Sequence, residues 1–256
     1  MNGGDQYDAF AADYEWLFSD ATLSADPRIE ALKPILTAYN GPRILDCACG
    51  TGLVALALAR SGYEVLGTDA SGSMVMRAQT HAAEQKLQVP FAVCAWEALP
   101  MNIQKPVDLV ICLGNALGHC RDESEMLRSL QGMRAVMREG GSLIIDSLNW
   151  EKLYADRVRF TPYGLRERAG TRCIPLYVWN FGREFHEPLV VEVVLVFERQ
   201  GKVRLQTYDI AYQPFHTERL LSLLQQAGFG NLKTDWTPQT YLYRVVAECV
   251  GTVESL

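Results

Sequence analysis

Between residues 43 and 148, strand-like apolar runs recur five times, with helix formers filling most of the gaps. The runs are "PRILDCACG", "EVLGTDAS", "PFAVCAW", "VDLVICLG" and "SLIIDSLN". Among them stand "LVALALARSGY", with a stop at Gly62, then "GSMVMRAQTHAAEQK", which Ser71 can cap, and "ESEMLRSLQGMRAVMREGG", closed by Gly140 and Gly141. Antiparallel strands can be joined by tight turns, whereas parallel ones need a crossover, usually a helix. The alternation therefore predicts an α/β chain: a parallel sheet with helices on both faces.

Outside this block the pattern changes. Residues 8–18 predict a short aromatic-rich helix, and Asp26 and Pro27 an N-cap and first helical position for a helix running towards Tyr39. After Trp150, "CIPLYVWNF", "LVVEVVLVFERQ" and "KVRLQTYDIAY" read as strands, the last two joined at Gln200 and Gly201. They predict an antiparallel sheet lying as a lid across the mouth of the first unit. "TERLLSLLQQAGF" predicts a helix capped by Thr217 and stopped by Gly228, and "TYLYRVVAECV" a last strand that rejoins the main sheet. The expected organisation is a cofactor-binding core with an N-terminal closing helix over 1–150, an acceptor-binding insertion over 151–212, and a return to the core over 213–256.

Composition narrows the function classes. A formal net charge of −6 argues against binding nucleic acid by phosphate neutralisation. The seven cysteines, with no repeated CxxC pair, predict reduced, buried thiols in a cytoplasmic protein, with no metal site. "MNGGDQYDAF" has neither the basic nor the apolar region of a signal peptide, and no apolar run is long enough to span a membrane. A homo-oligomer stays open.

Parallel sheets bind ligands at the carboxyl ends of their strands. The first such end is "LDCACGTG", where Gly50 and Gly52 let backbone approach a ligand and the next helix offers free N–H groups. Asp69 closes the second strand, where a carboxylate can take both hydroxyls of a ribose. Three readings compete: a dinucleotide site, an S-adenosylmethionine site, and a structural turn with no ligand. A carboxylate as close to the loop as Asp46 repels a pyrophosphate and suits a ligand with a cationic end.

"LDCACGTG" followed by "LGTDAS" resembles the cofactor motifs of class I S-adenosylmethionine-dependent methyltransferases. "VICLGNALGH", with "LIIDSLNW" after it, resembles the glycine N-methyltransferase branch, and "YDAFAADYEWLF" the segment that such enzymes close over the cofactor. The resemblance implies a doubly wound, seven-stranded, mostly parallel Rossmann-like sheet with an antiparallel β lid. It implies S-adenosylmethionine as cofactor, with Asp69 on the ribose, the backbone around Ala48, Gly50 and Gly52 on the methionine part, and Arg28 on its carboxylate. Trp96, with Ala95, would sit beside the adenine, and Asp46, Ala70, Met74, Leu113 and His119 would also touch the cofactor. Asn115 would contact the acceptor, and Tyr7 and Tyr14 would face the methyl donor centre. Asn115, His119 and Tyr14 are thus the candidate catalytic residues, His119 as a possible base because imidazole titrates near neutrality.

One position departs from the branch. Where its glycine-specific members hold an Arg that clamps the acceptor carboxylate, this chain has Leu148. Arg157, Arg159, Arg166, Arg168 and Arg172 of the lid are the alternative cations. The expected function is N-methylation of a small amine or amino acid. Methylation of a larger metabolite, sugar amine or natural-product scaffold on N or O, and a non-catalytic binding protein, are the alternatives. The fourth strand lacks the Asn/Asp-Pro-Pro-aromatic pattern of enzymes that methylate base amino groups. Each candidate also has an ordinary reading: Asn115 as a cap, His119 as a satisfied polar residue, Trp96 as core, Tyr7 and Tyr14 as one apolar face, the arginines as a solvated surface.

Overall fold

A computed structural model describes residues 5–20, 22 and 27–251, excluding the side chains of Asp5, Pro27 and Arg28. The central sheet has seven strands: β1 Arg43–Asp46, β2 Glu64–Asp69, β3 Phe91–Val93, β4 Val107–Cys112, β5 Met137–Leu148, β11 Phe229–Thr234 and β12 Leu242–Cys249. Their order is β11-β12-β5-β4-β1-β2-β3. The first five run parallel, β12 pairs antiparallel with β5, and β11 pairs antiparallel with β12, so that β11 runs with the first five. The order reverses between β1 and β4, so the crevice expected of a doubly wound sheet opens where those two strands end.

Burial explains why this sheet forms. β4 is buried at five of its six positions, the signature of a strand covered on both faces. Ile44, Leu109, Ile111 and Ile144 point to one face, under α2 Pro27–Leu36, α3 Leu53–Arg60 and α4 Gly72–Glu84. Leu45, Val110, Leu143 and Ile145 point to the other, under α6 Glu123–Ala135 and α8 Thr217–Gln226. The shorter helices are α1 Asp5–Asp8, α5 Leu99–Asn102 and α7 Trp150–Asp156. Ser71 caps α4, its hydroxyl accepting from the Met74 N–H at 3.1 Å. Among the described residues no helix is long and apolar enough to cross a membrane, and all seven cysteines are free, buried thiols.

A second, antiparallel sheet follows: β6 Phe160–Pro162, β7 Arg166–Arg168, β8 Thr171–Asn180, β9 Leu189–Arg199 and β10 Lys202–Tyr212. Gln200 and Gly201 turn β9 into β10 with φ of 53° and 76°, the pair of positive values a tight hairpin requires. The inner face of β9 carries Leu189, Val191, Val193, Leu195 and Phe197, which join the core on the α6 side of the central sheet.

Several local expectations are corrected. Residues 8–18 do not form one helix: α1 ends at Asp8, and a separate 3₁₀ turn covers Tyr14–Leu17. Phe10 between them is driven into the core against Tyr208 of β10, with ring centroids 4.6 Å apart. The Asp26 cap lies outside the described residues, while α2 does begin at Pro27 and ends at Leu36. α6 stops at Ala135 rather than at Gly140, because Val136 and Met137 are claimed by β4: the Val107 N–H donates to the Val136 carbonyl at 2.9 Å. α8 is not capped by the Thr217 side chain; the Glu151 carboxylate accepts from the Thr217 hydroxyl at 3.0 Å and from its N–H at 3.4 Å. Strands β6, β7 and β11, too short or too polar to stand out, were not expected.

Candidate active site

A cavity of about 550 Å³ opens at the ends of β1, β2 and β4, within the usual range of roughly 300–1,000 Å³ for small-molecule sites. Of the predicted residues, Tyr7, Tyr14, Ala48, Gly50, Asp69, Ala70, Met74, Ala95, Trp96, Leu113 and His119 line it. Asp46, Gly52 and Asn115 do not. The side chain of Arg28 lies outside what the structure describes.

The loop after β1 is held by the carboxylate at the end of β2. Asp69 Oδ2 accepts from the Gly50 N–H at 2.8 Å, and Oδ1 from the Ser71 N–H at 2.9 Å. A carboxylate has about four acceptor sites, so roughly two remain to face the cavity, enough for a pair of vicinal hydroxyls. Burial pushes the Asp69 carboxyl up, and the N–H groups of Ser71, Gly50 and Ala70 pull it part of the way back. Gly52 belongs to the fold rather than the wall: its φ is 85°, and a Cβ there would stand 3.0 Å from that of Ala78. Asp46 is buried behind the loop, where its Oδ1 lies 3.4 Å from the Ala48 N–H. Trp96 is fixed by its indole N–H, which donates to the Cys47 carbonyl at 2.7 Å.

The stretch "VICLGNALGHC" closes the other side. Gly114 and Asn115 both take left-handed backbone, φ 82° and 59°, which ends β4 and turns the chain at the crevice. Asn115 is buried and ties two strand ends together. Its N–H donates to Asp146 Oδ1 at 2.8 Å, and its Oδ1 accepts from the Leu148 N–H at 2.9 Å. Its Nδ2 has no partner. Gly118 packs so tightly that a Cβ would lie 2.9 Å from Trp150 and 3.0 Å from Tyr212.

His119 follows, wrapped by three elements. The Tyr7 hydroxyl lies 2.9 Å from Nε2, and Nδ1 lies 3.1 Å from the Ala211 carbonyl and 3.0 Å from Gln6 Nε2. The Tyr212 ring stacks on it at 4.5 Å. Burial depresses its pKa to about 4, and the Ala211 carbonyl only partly opposes that, so the imidazole is neutral at physiological pH.

Sequence reasoning missed the tyrosines of the second sheet. Tyr177 and Tyr212 gather near Tyr7 and Tyr14, with Tyr163 5.0 Å from Tyr177. Burial raises the pKa of Tyr7, Tyr163, Tyr177 and Tyr212, which keeps these phenols neutral. A signal was present: aromatic residues at 177, 179 and 181, and tyrosines at 208 and 212, recur with the period of a strand and share its inner face. Also missed were Glu97, Asn102, Arg121, Glu125 and Ser129 on the cavity wall, which carry no such pattern.

None of the five lid arginines lines the cavity. Arg157 packs over Tyr154 and Phe181, Arg159 reaches Asn180, and Arg172 pairs with Glu198 at 3.8 Å. Arg166 and Arg168 bind the N-terminal segment. Arg121, the arginine that does line the cavity among the described residues, is engaged by the Glu125 carboxylate at 2.8 Å.

Comparison with known proteins places the chain among relatives of known family. The family description "Methyltransferase domain" matches residues 44–141. The glycine N-methyltransferase of Homo sapiens is 32% identical over 244 residues, 88% of this chain and 82% of that protein. Two solved structures share the fold. The CcbJ methyltransferase of Streptomyces caelestis has a TM-score of 0.74 at 20% identity, over 98% of this chain and 99% of the other. The sugar N-methyltransferase KedS8 of Streptoalloteichus has a TM-score of 0.66 at 20% identity, over 87% and 86%.

Proposed function

Since the chain belongs to the class I S-adenosylmethionine-dependent methyltransferases, in the branch of the glycine N-methyltransferases, we propose that it methylates the nitrogen of a small amine that carries no carboxylate. The cofactor, when bound, supplies an activated electrophilic methyl. Asp69 would hold its ribose, the backbone of Ala48 and Gly50 its methionine part, and Trp96 and Met74 its adenine side. What remains for the protein is to align the nucleophile and exclude water. Residues 1–150 and 213–256 would serve the cofactor, and 151–212 the acceptor.

The observation that carries the reading is the absence of a carboxylate clamp among the described residues. Leu148 stands at the clamp position, and the lid arginines that could replace it are turned to other partners. The wall near Tyr7 and His119 is built instead from neutral phenols, which donate and accept hydrogen bonds and present electron-rich rings. Such a wall suits an amine on a hydroxylated scaffold. The structural neighbour KedS8, a sugar N-methyltransferase, supports that class.

In this reading the amine arrives as its free base. His119, neutral and hydrogen-bonded through both ring nitrogens, orients Tyr7 rather than taking a proton. Asn115 keeps β5 in register with β4 through Leu148. The test is methyl incorporation from labelled S-adenosylmethionine into glycine and sarcosine against amino sugars and other carboxylate-free amines. The expected result is turnover of a carboxylate-free amine at least tenfold above glycine in kcat/KM, with Leu148→Arg narrowing that ratio. Glycine as the best acceptor of the unmodified chain refutes the proposal.

A further inference from the structure

The cavity is roofed by a segment that has no strong fold of its own. The 3₁₀ turn Tyr14–Leu17 is a single turn, and helices this short are not stable alone. Yet it places Tyr14 over the glycine loop: a Cβ on Gly50 would lie 3.8 Å from Tyr14 Cε1. Something outside the segment must hold it.

On the side of the central sheet the holding is light. The Glu15 carboxylate reaches His81 Nε2 at 3.1 Å and Arg77 Nη2 at 3.8 Å, both on α4. On the side of the second sheet it is dense: Trp16 packs edge-to-face on Phe197 at 5.4 Å, and most of the polar contacts come from one residue. Arg168 donates from Nη1 to the Glu15 carbonyl at 3.0 Å and from Nη2 to the Phe18 carbonyl at 2.8 Å. Its Nε donates to Asp20 Oδ1 at 2.9 Å, and its guanidinium lies over the Trp16 ring at 4.9 Å. Arg166 adds a longer contact, 3.5 Å, to the Leu17 carbonyl. The Glu15 carbonyl already accepts the Phe18 N–H at 3.0 Å, so Arg168 adds a second bond to it, while the Leu17 and Phe18 carbonyls stand at and just past the end of the turn. The planar fork of an arginine can meet two carbonyls and a carboxylate at once, whereas a lysine ammonium is one compact charge.

We propose that Arg168 is a positioning residue for the cofactor: anchored in the second sheet, it latches the turn 14–17 over the glycine loop and so sets how long the cofactor stays. The second sheet thereby acts on the donor half of the site, with Arg168 making most of its polar contacts to the turn. The inference holds whatever the acceptor is, and its test does not use turnover.

The experiment compares Arg168→Ala, Arg168→Lys and Arg172→Ala, the last removing a neighbouring arginine that faces Glu198 instead. Dissociation of S-adenosylhomocysteine is followed by stopped-flow fluorescence, and chymotrypsin cleavage at Trp16 and Phe18 is followed in the cofactor-free protein. Arg168→Ala is expected to speed dissociation by roughly 10- to 100-fold and cleavage by at least tenfold. Arg168→Lys should recover part of both, and Arg172→Ala should match the unmodified chain. Should Arg168→Ala melt too low to assay, Trp16→Ala removes the ring that lies under Arg168 and against Phe197, and is expected to speed dissociation and cleavage at Phe18 in the same direction. Dissociation and cleavage within twofold of the unmodified chain overturn the latch. So does an equal effect of Arg172→Ala, which would mean that any weakening of the sheet opens the segment.

Discussion

Asp69→Asn separates the two tasks of that carboxylate. In the ligand-free protein Asp69 accepts one N–H from Gly50 and one from Ser71. Asparagine has one acceptor oxygen, so one of those donors is left facing an NH₂ group, at about 1–3 kcal/mol. Against this, the ionised carboxylate is itself penalised: burial holds its pKa above the ordinary value. A raised carboxyl pKa favours the folded state below the unfolded pKa and loses that advantage as pH rises through the folded one. At pH 7 the charge therefore costs stability, and its removal offsets the lost loop bond. We expect the melting temperature of the ligand-free variant to stay within about 4 °C of the unmodified chain, at roughly 2–4 °C per kcal/mol for this length. Binding is different, because the loop term is present with and without ligand and cancels. What remains is one charge-assisted bond to a ribose hydroxyl lost and a second one weakened, about 3 kcal/mol together. That converts to roughly 150-fold in Kd. Calorimetric titration with S-adenosylhomocysteine measures it. The unmodified chain should also lose affinity as pH falls through the raised Asp69 pKa, while Asp69→Asn should not. A Kd within fivefold of the unmodified chain, or a pH dependence that survives the substitution, refutes the assignment of Asp69 to the ribose.

Two further outcomes are expected. Gly132→Ala would gain about 1 kcal/mol in an exposed helix, but here a Cβ would stand 2.2 Å from the Trp96 carbonyl oxygen; the crowding should cost about 1–3 kcal/mol net, lower the melting temperature, and weaken cofactor binding by shifting the indole off Cys47, so a rise in melting temperature contradicts it. His119, held to a pKa of about 4 by burial, is neutral when folded but takes a proton below about 6.5 when unfolded; stability should therefore fall by up to about 3 kcal/mol between pH 6.5 and 4, and urea titrations of His119→Gln over that range should show a correspondingly smaller fall.

The central sheet was legible because its signal is local. Five apolar runs with glycine or a cap at their ends survive any tertiary rearrangement, since a strand covered on both faces has no other good place to be. Boundaries were less legible where a neighbour decides them. Val136 and Met137 follow a helix without a break in helix-forming character, and only the pairing of β5 with β4 ends that helix at Ala135. Residues 8–18 failed for the same reason: Phe10 gains more from burial against Tyr208 than the segment gains from completing a helix. β11 is half exposed and polar, and exists because β12 offers it an edge.

For the site, what could be read depended on whether a residue's meaning lies in its own backbone or in its partner. Gly50 with Asp69, and Gly114 with Asn115, are constraints of backbone shape and strand ends, and the structure brings three of them to one cavity wall. Charged side chains carry no such constraint. An arginine on a strand can serve an acceptor, a surface glutamate or a carbonyl some 150 residues away, and the sequence around it is the same in each case. Arg172 and Arg168 are four residues apart, yet one faces Glu198 and the other the carbonyls of Glu15 and Phe18. Leu148 is the opposite case: it cannot form a bidentate carboxylate bond with any partner, so what it excludes is readable without a fold. What the lid arginines face is instead set by the fold, which leaves all five off the cavity wall.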